Sequence, residues 1–161
     1  MITADYLNDM YEYKDGCLYY KKLAFKNTNA IGDKVGYIAK SGYITTKIKN
    51  KSYLLHRLIY LMHYNYLPEQ LDHIDGNPVN NRIENLRDVT GSQNCMNKKI
   101  SKVNTSGYKN IHYIKQINKY RVQIKVKGKP LSFGCYEDVE LADLVAQEVR
   151  DKYFGKFARH C

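Results

Sequence analysis

Short hydrophobic runs separated by polar turns dominate the first third of the chain. These runs are rich in tyrosine and β-branched residues, which is typical of strands on a half-buried sheet. They cover residues 17–22, 35–40 and 43–49 and are bounded by turns at Asp15–Gly16 and Ser41–Gly42. Thr3 provides an N-cap for a short helix that we expect to reach Met10. Residues 1–52 are therefore predicted to form a small N-terminal β-rich module.

The spacing of hydrophobic positions changes at Tyr53. Hydrophobic residues then recur every three or four positions, at Leu54, Leu55, Leu58, Ile59 and Met62. This period predicts a helix over 53–64, and Pro68 prevents the helix from continuing. A short strand is predicted over 71–75, and a second helix over 91–98. We assign residues 53–100 to one central module.

The last part of the chain alternates in hydrophobicity and then returns to helical spacing. Strands are predicted over 108–113, 120–126 and 131–134, with a turn near 128–130, and a helix over 139–153 with Asp138 as N-cap. The helix face expected to pack on the sheet consists of Leu141, Val145, Val149 and Tyr153, with Ala142 and Leu144 beside it. A linker candidate lies at 100–107. The predicted fold class is α+β, with a three-stranded antiparallel sheet packed on one helix over 101–161.

The charge distribution over the 161 residues indicates a polyanionic partner. Lysine and arginine total 26 and acidic residues 16, a formal net charge of +10. The excess is +4 in residues 1–52, 0 in 53–100 and +6 in 101–161. Basic flanks favour nucleic-acid binding, and a neutral centre fits acidic ligands at a metal. The abundance of lysine alone is weak support, since an AT-rich genome also produces it.

Membrane and secretory classes are not favoured by this sequence. No run approaches the roughly 20 apolar residues of a membrane span, and the start of the chain lacks a signal-peptide pattern. The four cysteines are far apart and form no CxxC pair, at positions Cys17, Cys95, Cys135 and Cys161. We expect a cytoplasmic protein with reduced thiols.

A set of potential catalytic side chains lies in the neutral centre. Asp72 and His73 are adjacent, Asn85 follows the histidine by twelve residues, and Asn94 follows nine residues later. Carboxylate and amide oxygens suit Mg²⁺ or Mn²⁺ rather than zinc, and imidazole suits a general base. Because adjacent strand residues point to opposite faces, a local twist must serve both Asp72 and His73. The alternative is an ordinary pair of polar residues at a strand end.

Four linked motifs in this region resemble the phage HNH homing endonucleases. The motifs are Leu55-His56-Arg57-Leu58, Asp72-His73-Ile74-Asp75-Gly76-Asn77, Asn80-Asn81-Arg82-Ile83-Glu84-Asn85-Leu86-Arg87 and Ser92-Gln93-Asn94. The resemblance implies that His73 is the general base and that Asp72 and Asn94 hold the metal ion. It further implies that Asn85 ties the loop between strand and helix. Asn94 stands where many family members have histidine. We assign the Asp75–Asn77 segment to turn chemistry.

The strand over 119–127 has one apolar and one basic face. Tyr120, Val122, Ile124 and Val126 form the apolar face, and Arg121, Gln123, Lys125 and Lys127 form the other, with Lys109 and His112 expected on the neighbouring strand. Such a face fits double-stranded DNA, in which a sheet can enter the major groove. The alternative is a solvated basic surface.

Residues 105–158 resemble the plant ethylene-response-factor DNA-binding domain, the APETALA type. The matching segments are Ser106 to Ile111, Lys119 to Ile124, Phe133-Gly134 and Phe154 to Ala158. The tryptophans usual in that family are absent, and lysine replaces arginine at several positions that read DNA. The resemblance implies a C-terminal domain that binds DNA.

Two hypotheses about function remain open at this stage. The first is a metal-dependent DNA endonuclease or nickase, with Arg57, Arg82 and Arg87 as further candidates for phosphate contacts or for local packing. The second is a DNA-binding regulator whose HNH core is only structural, and an RNA-binding enzyme is a more distant third. For the oligomeric state, a monomer is the simpler expectation.

Overall fold

The computed structural model describes residues 2–22, 30–98, 100 and 103–160. These residues form two compact units, Met1–Val89 and Thr90–Cys161. Each unit combines helices with small antiparallel sheets, so the predicted α+β fold class is confirmed. The structure divides once, after Val89, and the three-module boundaries stay a prediction.

The first unit contains two hairpins, one three-stranded sheet and two helices. Its elements are α1 (Ala4–Met10), β1 (Tyr11–Lys14), β2 (Cys17–Tyr20), β3 (Tyr37–Ile38), β4 (Ile44–Ile48), β5 (Lys51–Leu54), α2 (Leu55–Tyr64), β6 (Gln70–His73), a 3₁₀ turn (Ile83–Asn85) and β7 (Leu86–Val89). Strands β1 and β2 pair, β3, β4 and β5 form one sheet in that order, and β6 pairs with β7. Thr3 caps α1 by accepting from the Tyr6 amide, as predicted.

The first unit contains strands that the sequence pattern does not predict. The predicted helix over 53–64 begins only at Leu55, because Lys51–Leu54 pairs with β4 as strand β5. The helix ends at Tyr64, and Asn65, with a left-handed φ of 55°, caps the last turn before Pro68 is reached. Strand β7 follows the 3₁₀ turn and pairs with β6. The strand forms because the chain turns back along β6, and its own hydrophobic pattern does not predict it.

Among the described residues, a shared hydrophobic core holds the first unit together. Leu55, Leu58 and Ile59 of α2 are buried against Leu7 of α1 and Leu86 of β7. Because α2 and the β6–β7 hairpin share this core, the end of β6 is attached to a packed framework rather than to a loop.

The second unit has the predicted three-stranded sheet packed on one helix. Its elements are α3 (Gly91–Met96), β8 (Ile111–Ile114), β9 (Lys119–Val126), β10 (Lys129–Tyr136), α4 (Val139–Phe154) and a 3₁₀ turn (Gly155–Phe157). The strand order is β10-β9-β8, and Asp138 caps α4 by accepting from the Glu140 amide at 2.7 Å. The candidate linker over 100–107 includes Ser101 and Lys102, which lie outside the described residues.

The face that α4 turns toward the sheet differs from the predicted stripe. Leu141 and Leu144 are 48% and 61% exposed, and Tyr153 is also exposed. The buried positions are Ala142, Ala146, Val149, Arg150 and Phe154. Alanines allow the helix to approach the sheet closely, and the Arg150 guanidinium is satisfied by donating to the Lys109 carbonyl at 2.7 Å. The prediction for Leu141 and Leu144 was therefore wrong, because hydropathy ranks leucine above alanine whatever the space available. The Tyr153 ring, although partly exposed, contacts the Phe133 ring of β10 at 5.4 Å.

The turn between β9 and β10 lies one residue earlier than predicted. Lys127 and Gly128 both have positive φ, 48° and 81°, so they form the two-residue turn that matches strand twist. Lys129 and Pro130 belong to β10. Pro130 is tolerated there because β10 is an edge strand.

Two features bear on the expected compartment. None of the helices in the described part of the chain is long and apolar enough to cross a lipid bilayer. Cys17, Cys95 and Cys135 carry free thiols, and Cys161 lies outside the described residues. The cytoplasmic location stays a prediction.

Candidate functional site

The β6–β7 hairpin places Asp72 and His73 side by side at the end of β6. In the strand register, Asp72 lies opposite Arg87 and His73 lies opposite Leu86. Both side chains are buried, with the residues 8% and 5% exposed respectively. The two neighbours nevertheless have different partners, because successive strand residues point to opposite faces.

Asp72 is held by an ion pair with the facing strand. Its Oδ2 accepts from Arg87 Nε at 3.0 Å and from Arg87 Nη2 at 2.9 Å. A buried carboxylate requires a positively charged or hydrogen-bonding partner, and the guanidinium supplies both. Arg87, a candidate for phosphate contact, is thus engaged with Asp72.

His73 lies between an asparagine and a second histidine. Its Nε2 is 2.9 Å from Oδ1 of Asn81, a residue that is only 1% exposed. On the other side, the His56 ring is 4.9 Å from the His73 ring at an interplanar angle of 67°. The Tyr43 ring completes the cluster, 5.4 Å from His56 and 6.0 Å from His73.

His56 is an uncharged neighbour for His73. Burial lowers the pKa of His56 to about 3, and the charges of His73 and Arg57 act in the same direction. Its Nδ1 is buried and has no hydrogen-bond partner among the described residues. At neutral pH the His56 ring therefore packs on His73 as a neutral aromatic group.

Asn85 ties the loop that follows β6. Its Nδ2 donates to Asp75 Oδ1 at 2.9 Å and to the Asn80 carbonyl at 2.8 Å, and its Oδ1 accepts from the Asp75 amide at 3.1 Å. Burial alone would raise the pKa of Asp75, but hydrogen bonds from Asn77, Asn80 and Asn85, with His73 nearby, hold it below its usual value. Asp75 itself lies in the turn, as its sequence context predicts.

Asn94 is positioned by a well-capped short helix. Thr90 and Gln93 form a capping box at the start of α3, in which each side chain bonds the backbone amide of the other. Asn94 lies half-buried on this helix, in the second unit. A ligand pair made of Asn94 and Asp72 stays a prediction.

The donor chemistry of the predicted ligand pair fits a hard divalent ion. The described residues contain no group of three or more histidine, cysteine, aspartate or glutamate side chains suited to a metal. Asp72 and Asn94 would instead offer one carboxylate and one amide, both hard oxygen donors, with water completing the shell. That chemistry suits Mg²⁺ or Mn²⁺.

The sheet of the second unit has a polar outer face opposite α4. The register places His112 beside Arg121, Gln123 beside Ser132 and Lys125 beside Pro130, while Val122 and Ile124 are buried on the other side. We call His112, Arg121, Gln123 and Lys125 the outer face. Lys127 lies in the turn at its end. Helix α4, on the opposite side of the sheet, carries four acidic residues, Glu140, Asp143, Glu148 and Asp151.

Two other candidate DNA-binding cations are engaged within their own units. Lys109 is buried and its Nζ donates to the Met96 carbonyl at 3.0 Å. Arg57 donates to the Pro68 carbonyl at 2.9 Å. These hydrogen bonds favour a local structural role over a DNA contact for Lys109 and Arg57. Arg82, in contrast, is exposed.

Sequence reasoning did not assign a role to Asn81 and left His56 undecided. Asn81 was part of a polar stretch, and nothing in the pattern distinguishes it from Asn80. His56 lies next to the hydrophobic positions of α2, which was the available signal that it is buried.

Comparisons with known proteins identify a family for the segment that contains these residues. A family model described as HNH endonuclease matches residues 53–96. The chain is 35% identical over 89 residues to Protein 3.8 of Escherichia phage T7, which covers 55% of this chain and 73% of that protein.

A second viral relative aligns over more of the chain. The chain is 34% identical over 125 residues to an uncharacterized HNH endonuclease of Acanthamoeba polyphaga mimivirus, which covers 76% of this chain and 64% of that protein, so less than two thirds of the relative is spanned. No solved structure matches. The chain belongs to the HNH endonuclease family.

Proposed function

We propose that the protein is a metal-dependent endonuclease or nickase of phage homing type that hydrolyses double-stranded DNA in the cytoplasm. The observation that carries this proposal is the buried Asp72–His73 pair at the end of β6, inside the segment that matches the HNH family. A carboxylate and an imidazole in adjacent positions supply a metal ligand and a base in one short segment.

The proposed chemistry divides between His73 and two oxygen donors. His73 takes a proton from the attacking water, a role for which imidazole is suited near neutral pH. Asp72 and Asn94 would hold Mg²⁺ or Mn²⁺, which would neutralise charge on the scissile phosphate and the leaving 3′ oxygen. Asn85 keeps the loop after β6 in shape through its bonds to Asp75 and Asn80. The family resemblance implies a 5′ phosphate and a 3′ hydroxyl as products.

The outer face of the second unit is the proposed DNA-binding surface. Its cations lie on one side of the sheet and the acidic residues of α4 belong to the element packed on the other side. The likeness of this unit to the ethylene-response-factor domain stays a proposal that rests on the sequence resemblance over 105–158. Such a sheet would bind the major groove, with Arg121 and Gln123 able to reach base edges.

Incubation with supercoiled plasmid and with phage genomic DNA tests this function. We expect relaxation or linearisation with Mg²⁺ or Mn²⁺, none with EDTA, and loss of cleavage by about 10²- to 10⁴-fold in His73→Ala. His160→Ala is the matched control, because it removes an exposed histidine of the second unit. The ratio of nicked to linear product distinguishes one-strand from two-strand cutting.

Other outcomes of this assay would overturn the proposal. DNA that shifts on a gel without scission by any metal would indicate a DNA-binding regulator with a structural HNH core. Cleavage of RNA but not DNA would indicate the RNA enzyme.

A further inference from the structure

We infer that Asn81 is a positioning residue for His73: its side-chain oxygen holds His73 in the tautomer that accepts a proton at Nδ1. This inference rests on the proposed function, in which His73 is the general base. It assigns a role to a residue that the four motif positions Asp72, His73, Asn85 and Asn94 do not include.

The hydrogen bond between the two side chains determines where the imidazole proton lies. Asn81 Oδ1 is 2.9 Å from His73 Nε2, and an amide oxygen can only accept. His73 Nε2 therefore carries the hydrogen, and in a neutral ring the lone pair is then on Nδ1. Both residues are at least 95% buried, so water does not readily replace this bond.

Asn85, the other asparagine that could fill this role, makes its side-chain hydrogen bonds elsewhere. Its amide nitrogen donates to Asp75 and to the Asn80 carbonyl, and its oxygen accepts from the Asp75 amide. None of these bonds reaches the His73 ring. Asn85 shapes the loop, and Asn81 orients the base.

The backbone that follows Asn81 is held by the N-terminal hairpin. A Cβ at Gly16 would lie 2.7 Å from the Arg82 nitrogen and 2.9 Å from the Asn81 carbonyl carbon, so only glycine fits this contact. The Tyr13 hydroxyl accepts from the Ile83 amide at 3.0 Å. Because β1 and β2 hold this segment, Asn81 is preorganised before DNA arrives.

The surroundings of His73 reinforce the same orientation. The His56 ring, carried by α2, packs on the His73 ring with 4.9 Å between the ring centroids. The Tyr43 ring centroid lies 6.0 Å from that of His73. His73 is thus confined by a hydrogen bond on one side and by ring packing on another. A base oriented by a third group is a recurring requirement of proton transfer in enzymes.

The nitrogen and the oxygen of the Asn81 side-chain amide differ in their hydrogen bonding, and this difference provides a selective test. Asn81 Nδ2 is buried without a hydrogen-bond partner among the described residues, whereas Oδ1 bonds His73. Asn81→Asp keeps an acceptor of the same shape, and Asn81→Leu removes it at similar volume. Asn80→Ala is the matched control, since Asn80 is the neighbouring asparagine and its side chain bonds Asp75 instead.

Single-turnover cleavage of plasmid DNA with Mg²⁺ measures the effect on the reaction. We expect Asn81→Leu to lower the rate at saturating DNA by about 10- to 100-fold with unchanged DNA affinity. Asn81→Asp should restore the rate to within about tenfold of wild type, and Asn80→Ala should stay closer to wild type than Asn81→Leu. A wild-type rate in Asn81→Leu would overturn the inference.

Nitrogen-15 NMR of the full chain measures the tautomer without DNA or metal. With the His73 signals identified by their loss in His73→Ala, we expect Nε2 to be protonated in wild type and in Asn81→Asp. Protonation at Nδ1 in wild type would overturn the inference even if Asn81→Leu did not fold.

The two readouts separate the inference from the proposed function. If wild type cuts no DNA but shows the Nε2–H tautomer, the pairing stands and the nuclease proposal fails. If wild type cuts DNA and Asn81→Leu cuts equally well, the nuclease proposal stands and the role of Asn81 fails.

Discussion

The segment around His73 and the outer face of the C-terminal sheet hold their polar side chains in opposite ways. Around His73, side chains bond one another over short distances, as in the Asp72–Arg87 pair and the Asn85–Asp75 ties. On the outer face, Lys125 is exposed, and Arg121 is half-buried with a buried Nε that has no hydrogen-bond partner among the described residues. One region is preorganised by side-chain hydrogen bonds, and the other presents Lys125 to solvent.

This difference predicts how each region responds to substitution. Proton transfer and metal binding depend on fixed geometry, so one replacement near His73 should remove most of the activity. Binding to a phosphate backbone is a sum of separate electrostatic contacts, so one replacement on the outer face should remove only its share. Each prediction below tests one side of this contrast.

The largest effect is expected from Asp72→Asn. This change removes the charge that pairs with Arg87 and the proposed carboxylate ligand. Because metal stabilisation is worth several kcal/mol, we expect cleavage to fall by about 100-fold or more in the plasmid assay. Asp88→Asn is the matched control, since Asp88 is an exposed carboxylate on β7 that accepts from Tyr66. Equal activity of the two variants would remove Asp72 from the site.

His56 makes the first unit sensitive to acid. Its pKa is about 3 in the folded protein against an ordinary value of 6.5, so the unfolded chain binds the proton more readily. The contribution of His56 to the free energy of unfolding is therefore fully present above about pH 6.5. It decreases toward pH 3 by about 1.4 kcal/mol per pH unit. Denaturant unfolding between pH 4 and 7 should be less pH-dependent in His56→Gln than in wild type. Identical slopes would contradict the burial of an uncharged His56.

The local motifs of the site could be predicted from the sequence, but the contacts between distant segments could not. Asp72 and His73 are adjacent, so a linear motif reveals them. Asn81 reaches His73 only because the loop returns to the end of β6, and Asn80 beside it has the same side chain and a different partner. Sequence spacing carries no signal for that choice.

The fold shows the same limit. The predicted three strands and one helix of the second unit follow from strong period-2 and helical patterns. The buried face of α4 did not follow, because Ala142 and Ala146 are chosen by the space next to the sheet and Arg150 by the Lys109 carbonyl. Strands β1, β5 and β7 were missed because each is specified by its pairing partner rather than by a hydrophobic run of its own.

Gly16→Ala should weaken the support of Asn81 from the N-terminal hairpin. The glycine has a φ of 80°, and a Cβ there would meet backbone atoms of Asn81 and Arg82 below 3 Å. Strain of this kind costs about 1 to 3 kcal/mol, which denaturant unfolding can measure. Gly128→Ala is the matched control, with a φ of 81° and nothing within 4 Å of the added Cβ. The difference between the two variants isolates the steric contact from the backbone penalty, and equal losses would contradict the contact.

The smallest effect is expected from the double variant Lys125→Ala and Lys127→Ala. Each lysine that contacts a phosphate contributes at most about one unit to the slope of log affinity against log salt, so the slope should flatten by up to about two units. Cleavage at saturating DNA should persist, because neither lysine is one of the proposed catalytic or metal-binding residues. Lys152→Ala provides a matched exposed cation on α4, on the other side of the sheet, and should leave the slope unchanged. A slope that stays the same in the double variant would remove the outer face from the DNA interface, while a loss of cleavage at saturating DNA would break the contrast between a preorganised site and a distributed binding surface.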